Sequence, residues 1–130
     1  MLIYCLFLVK EGKKELPAKI MLTADPYEIK KISKQIKPNP TLTKESEELA
    51  NHAAMVKCVT QKFKDPCLRR FLIETGTKHL AEHSKFDTFW GTGYSLYDKD
   101  CLNYDRSRGQ NQLGQVLEQV RSEIQQVNLA

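Results

Sequence analysis

Residues 109–127 read Gly-Gln-Asn-Gln-Leu-Gly-Gln-Val-Leu-Glu-Gln-Val-Arg-Ser-Glu-Ile-Gln-Gln-Val, and with Asp87-Thr88-Phe89-Trp90-Gly91-Thr92-Gly93 they frame the rest of the chain. Leu113, Val116, Leu117, Val120, Ile124 and Val127 recur at steps of three and four, so one stripe of a long helix is expected to be buried. Gly109, Gln110 and Asn111 open that helix with small and amide residues. Free backbone N–H groups are expected there, in a position to hold an anion. The stretch 87–93 sets a carboxylate three residues before a tryptophan and two glycines. That arrangement suits a tight turn carrying an acid beside an aromatic wall, able to bind a flat base and act on it.

Working outward, Thr92 to Arg108 reads as a polar loop long enough to be functional, and Leu80 to Phe86 as extended chain or a single turn. Asp65-Pro66 supplies a cap and a proline start for a helix with Leu68, Phe71 and Leu72 facing inward, stopped at Gly76. From about Thr43 to Phe63 a longer helix presents Leu49, Ala53, Val56, Val59 or Thr60, and Phe63 as its core stripe. Pro38 and Pro40 mark a break before it. Asp25-Pro26-Tyr27-Glu28 starts another helix, with Glu28 placed for a capping box and Ile29, Ile32 and Ile36 buried. Pro17 to Leu22 predicts a short helix with Ile20 and Met21 inward. The expected sum is a single, mainly helical domain over 1–130, α+β only through minor strand content.

The length of 130 residues with 41% hydrophobic content suits one domain of ordinary size. The net charge of +4 is uneven, because residues 1–70 hold fourteen Lys or Arg against eight acids. An anionic ligand would be drawn to that half. The lysines have little aromatic interleaving and no nucleic-acid fold motif, so sequence-specific nucleic-acid binding is not expected. Cys5, Cys58, Cys67 and Cys101 show no CxxC spacing and no disulfide framework, which favours free, mostly buried thiols in a reducing, cytoplasmic setting. Met1 to Val9 is apolar but lacks a basic start and a cleavage site, and falls short of the roughly 20 residues a membrane helix needs.

Two motifs carry little weight. His79-Leu80-Ala81-Glu82-His83 fits the HxxEH pattern of inverted zinc peptidases, but five residues match by accident and a long helix and third ligand are not evident. Asp98 to Asp105 lacks the glycine and glutamate of a calcium loop. Asp87 as a turn former and Trp90 as a core aromatic is the reading the two residues favour by themselves. Gly76, Gly91, Gly93, Gly109 and Gly114 crowd the second half, where either close ligand approach or packing would call for them.

The ordered series Lys62-Phe63, Asp65-Pro66, Leu68-Arg69, Leu72, Thr75-Gly76, Leu80, Glu82, Asp87, Phe89-Trp90-Gly91, Gly93, Gly109, Asn111, Leu113-Gly114, Leu117 and Arg121 resembles the YbiA-like N-glycosidases, or NADAR proteins. The likeness is strongest over 43–125, and a weaker match takes in 25–28 and Lys30 to Lys34. It implies a compact, mainly helical fold that hydrolyses an N-glycosidic bond, in phosphorylated riboflavin-pathway intermediates or in ADP-ribose attached to a base, without metal or cofactor. Such a bond breaks through an oxocarbenium-like transition state that a carboxylate stabilises or supplies with an activated water. The resemblance makes Asp87 that acid, Trp90 the stacking wall, and Asn111 an orienting amide. Gly91, Gly93 and Gly109 would line the substrate, and Lys30 and Lys34 would meet phosphate.

The family's opening strands and its Glu-His pair have no counterpart here, and Glu47 stands near the place of a family tryptophan. An N-terminally shortened domain with slowed hydrolysis is therefore expected, with Glu47 a candidate replacement acid. The alternatives are a catalytically inactive module binding ADP-ribose or nucleotide, and an interaction domain whose apolar N-terminus packs on a partner or in a homo-oligomer.

Overall fold

Helices begin where a side-chain oxygen supplies the acceptor that first-turn N–H groups lack. The computed structural model describes residues 15–35 and 40–129, and shows α1 (Glu15–Leu22), α2 (Pro26–Ser33), α3 (Lys44–Lys62), α4 (Pro66–Glu74) and α5 (Gln112–Leu129), with a 3-10 turn at Tyr104–Arg106. Asp25 caps α2 by accepting from Tyr27 N at 2.9 Å. Asp65 caps α4 by accepting from Cys67 N at 2.9 Å and Leu68 N at 3.0 Å. In both helices the proline takes a first-turn position, where its missing N–H costs nothing. Thr43 serves α3, its Oγ1 accepting from Ser46 N at 3.2 Å. Each such cap contributes about 1 kcal/mol.

The fold is mainly α-helical, and there is no strand among the described residues. The minor strand content expected from the sequence is not found among them. Segment 78–82 is irregular extended chain, but α5 side chains take up its polar groups, so no strand partner is needed. Internal contacts divide the chain between Cys58 and Val59, within α3, into two units.

In the first unit α1 packs on α2, with Ile20 and Ile29 buried together and Ile32 against them. Met21, expected inward, is 66% exposed; it stands about 100° around the helix from Ile20, which takes the core. Pro17 stands in the first turn of α1, as expected, and the helix runs from Glu15. The capping box does not close among the described residues, where Glu28 faces Lys31 at 3.7 Å instead. Leu49 is 68% exposed, so the α3 stripe is realised only toward its C-terminal end, at Val56, Val59 and Phe63. Ile36 and the apolar segment Ile3 to Val9 lie outside the described residues.

In the second unit α4 packs on α5. Leu72, Val116 and Val120 are buried, each side chain worth about 1.5–3 kcal/mol of transfer free energy. Phe71 and Val127, both read as inward, are 69% and 72% exposed. Leu72 already occupies the inward position beside Phe71, and Val127 lies in the last turn of α5, beyond the buried part of the stripe. Cys67 and Cys101 are free thiols, and Cys67 is exposed rather than buried.

Candidate functional site

α5 starts at Gln112, three residues later than the glycine read as its opening. Gly109 to Asn111 instead lie alongside the turn that Asp87 begins. Five successive N–H groups donate across to that turn: Gly109 to Thr92 O at 2.8 Å, Gln110 to Thr88 O at 2.7 Å, Asn111 to Gly91 O at 3.0 Å, Gln112 to Phe89 O at 3.1 Å and Leu113 to Trp90 O at 3.1 Å. These are the donors expected to hold an anion. The expectation is overturned, because protein carbonyls occupy all five.

Two glycines explain how the chains come so close. A Cβ on Gly109 would run into Gly91 O and meet the Thr88 backbone at 2.9 Å, and one on Gly114 would run into Leu80 O. Both serve backbone-to-backbone packing. Gly91 and Gly93 are buried in the same turn.

A second set of bonds ties segment 78–82 to α5 through side chains. Asn111, 2% exposed, accepts from Glu82 N at 3.0 Å and donates Nδ2 to Leu80 O at 2.8 Å. Glu118 accepts from Leu80 N at 2.8 Å. Buried Arg121 donates to Lys78 O at 2.9 Å and to Thr75 Oγ1 at 2.7 Å. Gly114, Glu118 and Arg121 follow one another at steps of four and three, so they share one face of α5, and Asn111 directly precedes that helix. Sequence reasoning did not assign Glu118 this role, although that spacing pointed to it. Both ends of the Asn111 amide are thereby engaged with backbone.

Asp87 sits half-buried at the start of the turn, its Oδ1 accepting from Phe89 N at 3.1 Å and Trp90 N at 2.8 Å. Among the described residues its Oδ2 makes no hydrogen bond. One oxygen therefore sets the carboxylate's direction. Trp90, half-buried, meets the Phe89 ring edge-to-face at 4.7 Å and 80°, which restricts the indole. The structure thus gathers Asp87, Trp90, Gly91, Gly93, Gly109 and Asn111 in the second unit.

The remaining predicted residues belong to the first unit. Lys30 lines a mainly apolar hollow of about 500 Å³ with Ile20, Pro26 and Ile29. Lys34 is the exposed C-cap of α2, and Glu47 is exposed in the first turn of α3.

The loop after the turn has its own order. Tyr94 is buried and donates its hydroxyl to Arg106 O at 2.7 Å. Asp98 accepts from Ser95 N at 2.7 Å and Ser95 Oγ at 3.0 Å. These two bonds, the backbone one first, hold its carboxyl below the usual carboxylate range, and the charges of Lys85 and Arg108 add to the effect. A cavity of about 210 Å³ lies under this loop, lined by His79, His83, Thr92, Tyr94 and Cys101 among others, but not by Asp87 or Trp90. No group of three metal-ligating side chains occurs among the described residues, and no helix there is long and apolar enough to cross a membrane.

Residues 4–125 match the family model of the NADAR domain, a span that enters both units. Among curated proteins, protein irg-1 of Caenorhabditis elegans is 30% identical over 118 residues, covering 87% of this chain and 53% of that protein. An N-glycosidase of Acanthamoeba polyphaga mimivirus is 37% identical over 62 residues, covering 48% of this chain and 36% of the viral protein. The chain spans about half the length, or less, of these relatives. No solved structure matches it at a significant level.

Proposed function

The chain belongs to the NADAR domain family, and from that premise we propose that it is an N-glycosidase-type hydrolase acting on a phosphoribosyl or ADP-ribosyl compound. The observation that carries the reading is the Asp87 carboxylate, half-buried, directed through Oδ1 by two backbone N–H groups and bearing an Oδ2 that bonds to nothing among the described residues. The mimivirus relative, an N-glycosidase by name, supports the same chemistry.

As the C–N bond lengthens, positive charge grows on the sugar carbon and ring oxygen, and an anionic oxygen beside them lowers the barrier. The same oxygen can instead take a proton from the attacking water. Trp90, oriented by Phe89, offers a face on which the leaving base stacks.

A second reading, a module that binds without turnover, is favoured by the same two bonds, since turn formation alone accounts for Asp87. Asp87→Asn separates the two. The amide keeps an oxygen for Phe89 N and Trp90 N, so the turn survives while the charge is lost. Product analysis with a phosphoribosylamino-pyrimidine and with ADP-ribosylated guanosine should show base release by the parent protein, reduced about 10²–10⁴-fold in Asp87→Asn. Equal turnover in the two proteins sinks the assignment of Asp87. Binding by both with no product establishes the second reading.

A further inference from the structure

The arginines of the second unit divide by what meets their charge. Arg70 pairs with Glu74 at 3.0 Å and Arg106 with Asp100 at 3.2 Å, while Arg121 donates to Thr75 and Lys78. Arg108 makes no hydrogen bond or ion pair among the described residues. Its guanidinium carbon lies over the Tyr94 ring, 4.6 Å from the centroid. Tyr94 is a fixed platform, 5% exposed, its hydroxyl donating to Arg106 O and its N–H to Thr92 Oγ1 at 3.3 Å. The ring restrains and polarises the guanidinium without supplying an acceptor oxygen, so the N–H fork keeps its hydrogen-bonding capacity.

The root of this side chain is set on the Asp87 turn. Arg108 directly precedes Gly109, whose N–H is bonded to Thr92 O. A Cβ built on Gly93 would lie 3.0 Å from Arg108 Cβ and 3.4 Å from Thr88 Cγ2, so Arg108 and the residue after Asp87 flank the same glycine. Gly93 has φ +73°, a conformation that keeps other residues out and leaves room for Arg108. Lys85 is a second exposed cation whose field, like that of Arg108, reaches Asp98. Both charges act on Asp98, in the loop that follows the turn.

We propose that Arg108, held on Tyr94, is an oxyanion-binding residue that receives a phosphate group of the substrate presented to Asp87. The planar fork fits phosphate oxygens two at a time, and a charge-assisted pair of that kind is strong enough to set substrate preference. The inference rests on the hydrolase reading for its substrate, but it concerns binding alone. It assigns phosphate recognition to the second unit.

Ribose 5-phosphate and ribose serve as probes, titrated by NMR into the parent protein, Arg108→Gln, Arg108→Lys and Asp87→Asn, with circular dichroism confirming that each is folded. The parent protein should prefer ribose 5-phosphate. Arg108→Gln should weaken that sugar about 10–100-fold, leave ribose unchanged, and be partly restored in Arg108→Lys. Asp87→Asn should keep the preference even if no protein shows turnover, so failure of the hydrolase reading is told apart from failure of this one. Unchanged affinity of Arg108→Gln for ribose 5-phosphate overturns the inference. So does an equal loss for both sugars, or a parent protein without preference for the phosphorylated one.

Discussion

Segments 78–82 and 88–92 are both fastened to the head of α5, by opposite means. The first is held by side chains, from Asn111, Glu118 and Arg121 to the backbone of Lys78, Leu80 and Glu82. The second is held by five consecutive main-chain N–H groups, with the Ser107 hydroxyl adding a longer bond to Thr92 O. Side-chain clamps can be exchanged or weakened one at a time. A main-chain clamp depends on how closely two backbones approach, so its specificity resides in an absent Cβ. Asn111 and the N–H groups of 109–113 are occupied in shaping the turn, while the Asp87 Oδ2 and the Arg108 guanidinium make no hydrogen bond among the described residues.

The sharpest way to break the comparison is Gly109→Ala. The new Cβ would meet the backbone of Gly91 and Thr88, atoms that no rotamer change moves aside, and the stability loss should exceed about 3 kcal/mol in urea denaturation. Parent-like stability would show that the main-chain clamp tolerates separation. Asn111→Ala should cost less, about 2–3 kcal/mol, by leaving Glu82 N–H and Leu80 C=O unpaired and by placing alanine at φ 49°. Hydrogen exchange sharpens this case. Protection should fall first at the Glu82 amide, whereas simultaneous loss at 109–113 would mean that the two clamps open as one. Glu118→Gln should be the mildest change, within about 0.5 kcal/mol, because the amide oxygen still accepts from Leu80 N and only the charge facing exposed His79 is lost.

Much of the helical framework was legible. Asp25-Pro26 and Asp65-Pro66 announce helix starts because a short acceptor and a proline do the same local job in any fold. The steps from Leu113 to Ile124 identify the buried side of α5. Periodicity fails at Leu49, Phe71 and Val127, since it measures angle around a helix and carries no information about whether anything stands opposite. The candidate site was legible in part. Asp87 and Trp90 could be singled out by residue type, and the glycines by their crowding. Their purpose could not be read, because a glycine admits a ligand or a neighbouring backbone for the same steric reason.

By itself the sequence determined the helix starts, the apolar face of α5 and the membership of a family whose ordered motif runs from Lys62 to Arg121. These follow from local chemistry and from residue order, which are properties of the chain before it folds. Only the tertiary structure decided that the N–H groups of 109–113 are closed to an anion, that Asn111 is a clamp, and that Arg108 rests on Tyr94 with no acceptor of its own among the described residues. Each depends on segments some 15 to 30 residues apart meeting within hydrogen-bond or van der Waals distance, and that proximity is a product of packing that no local pattern encodes.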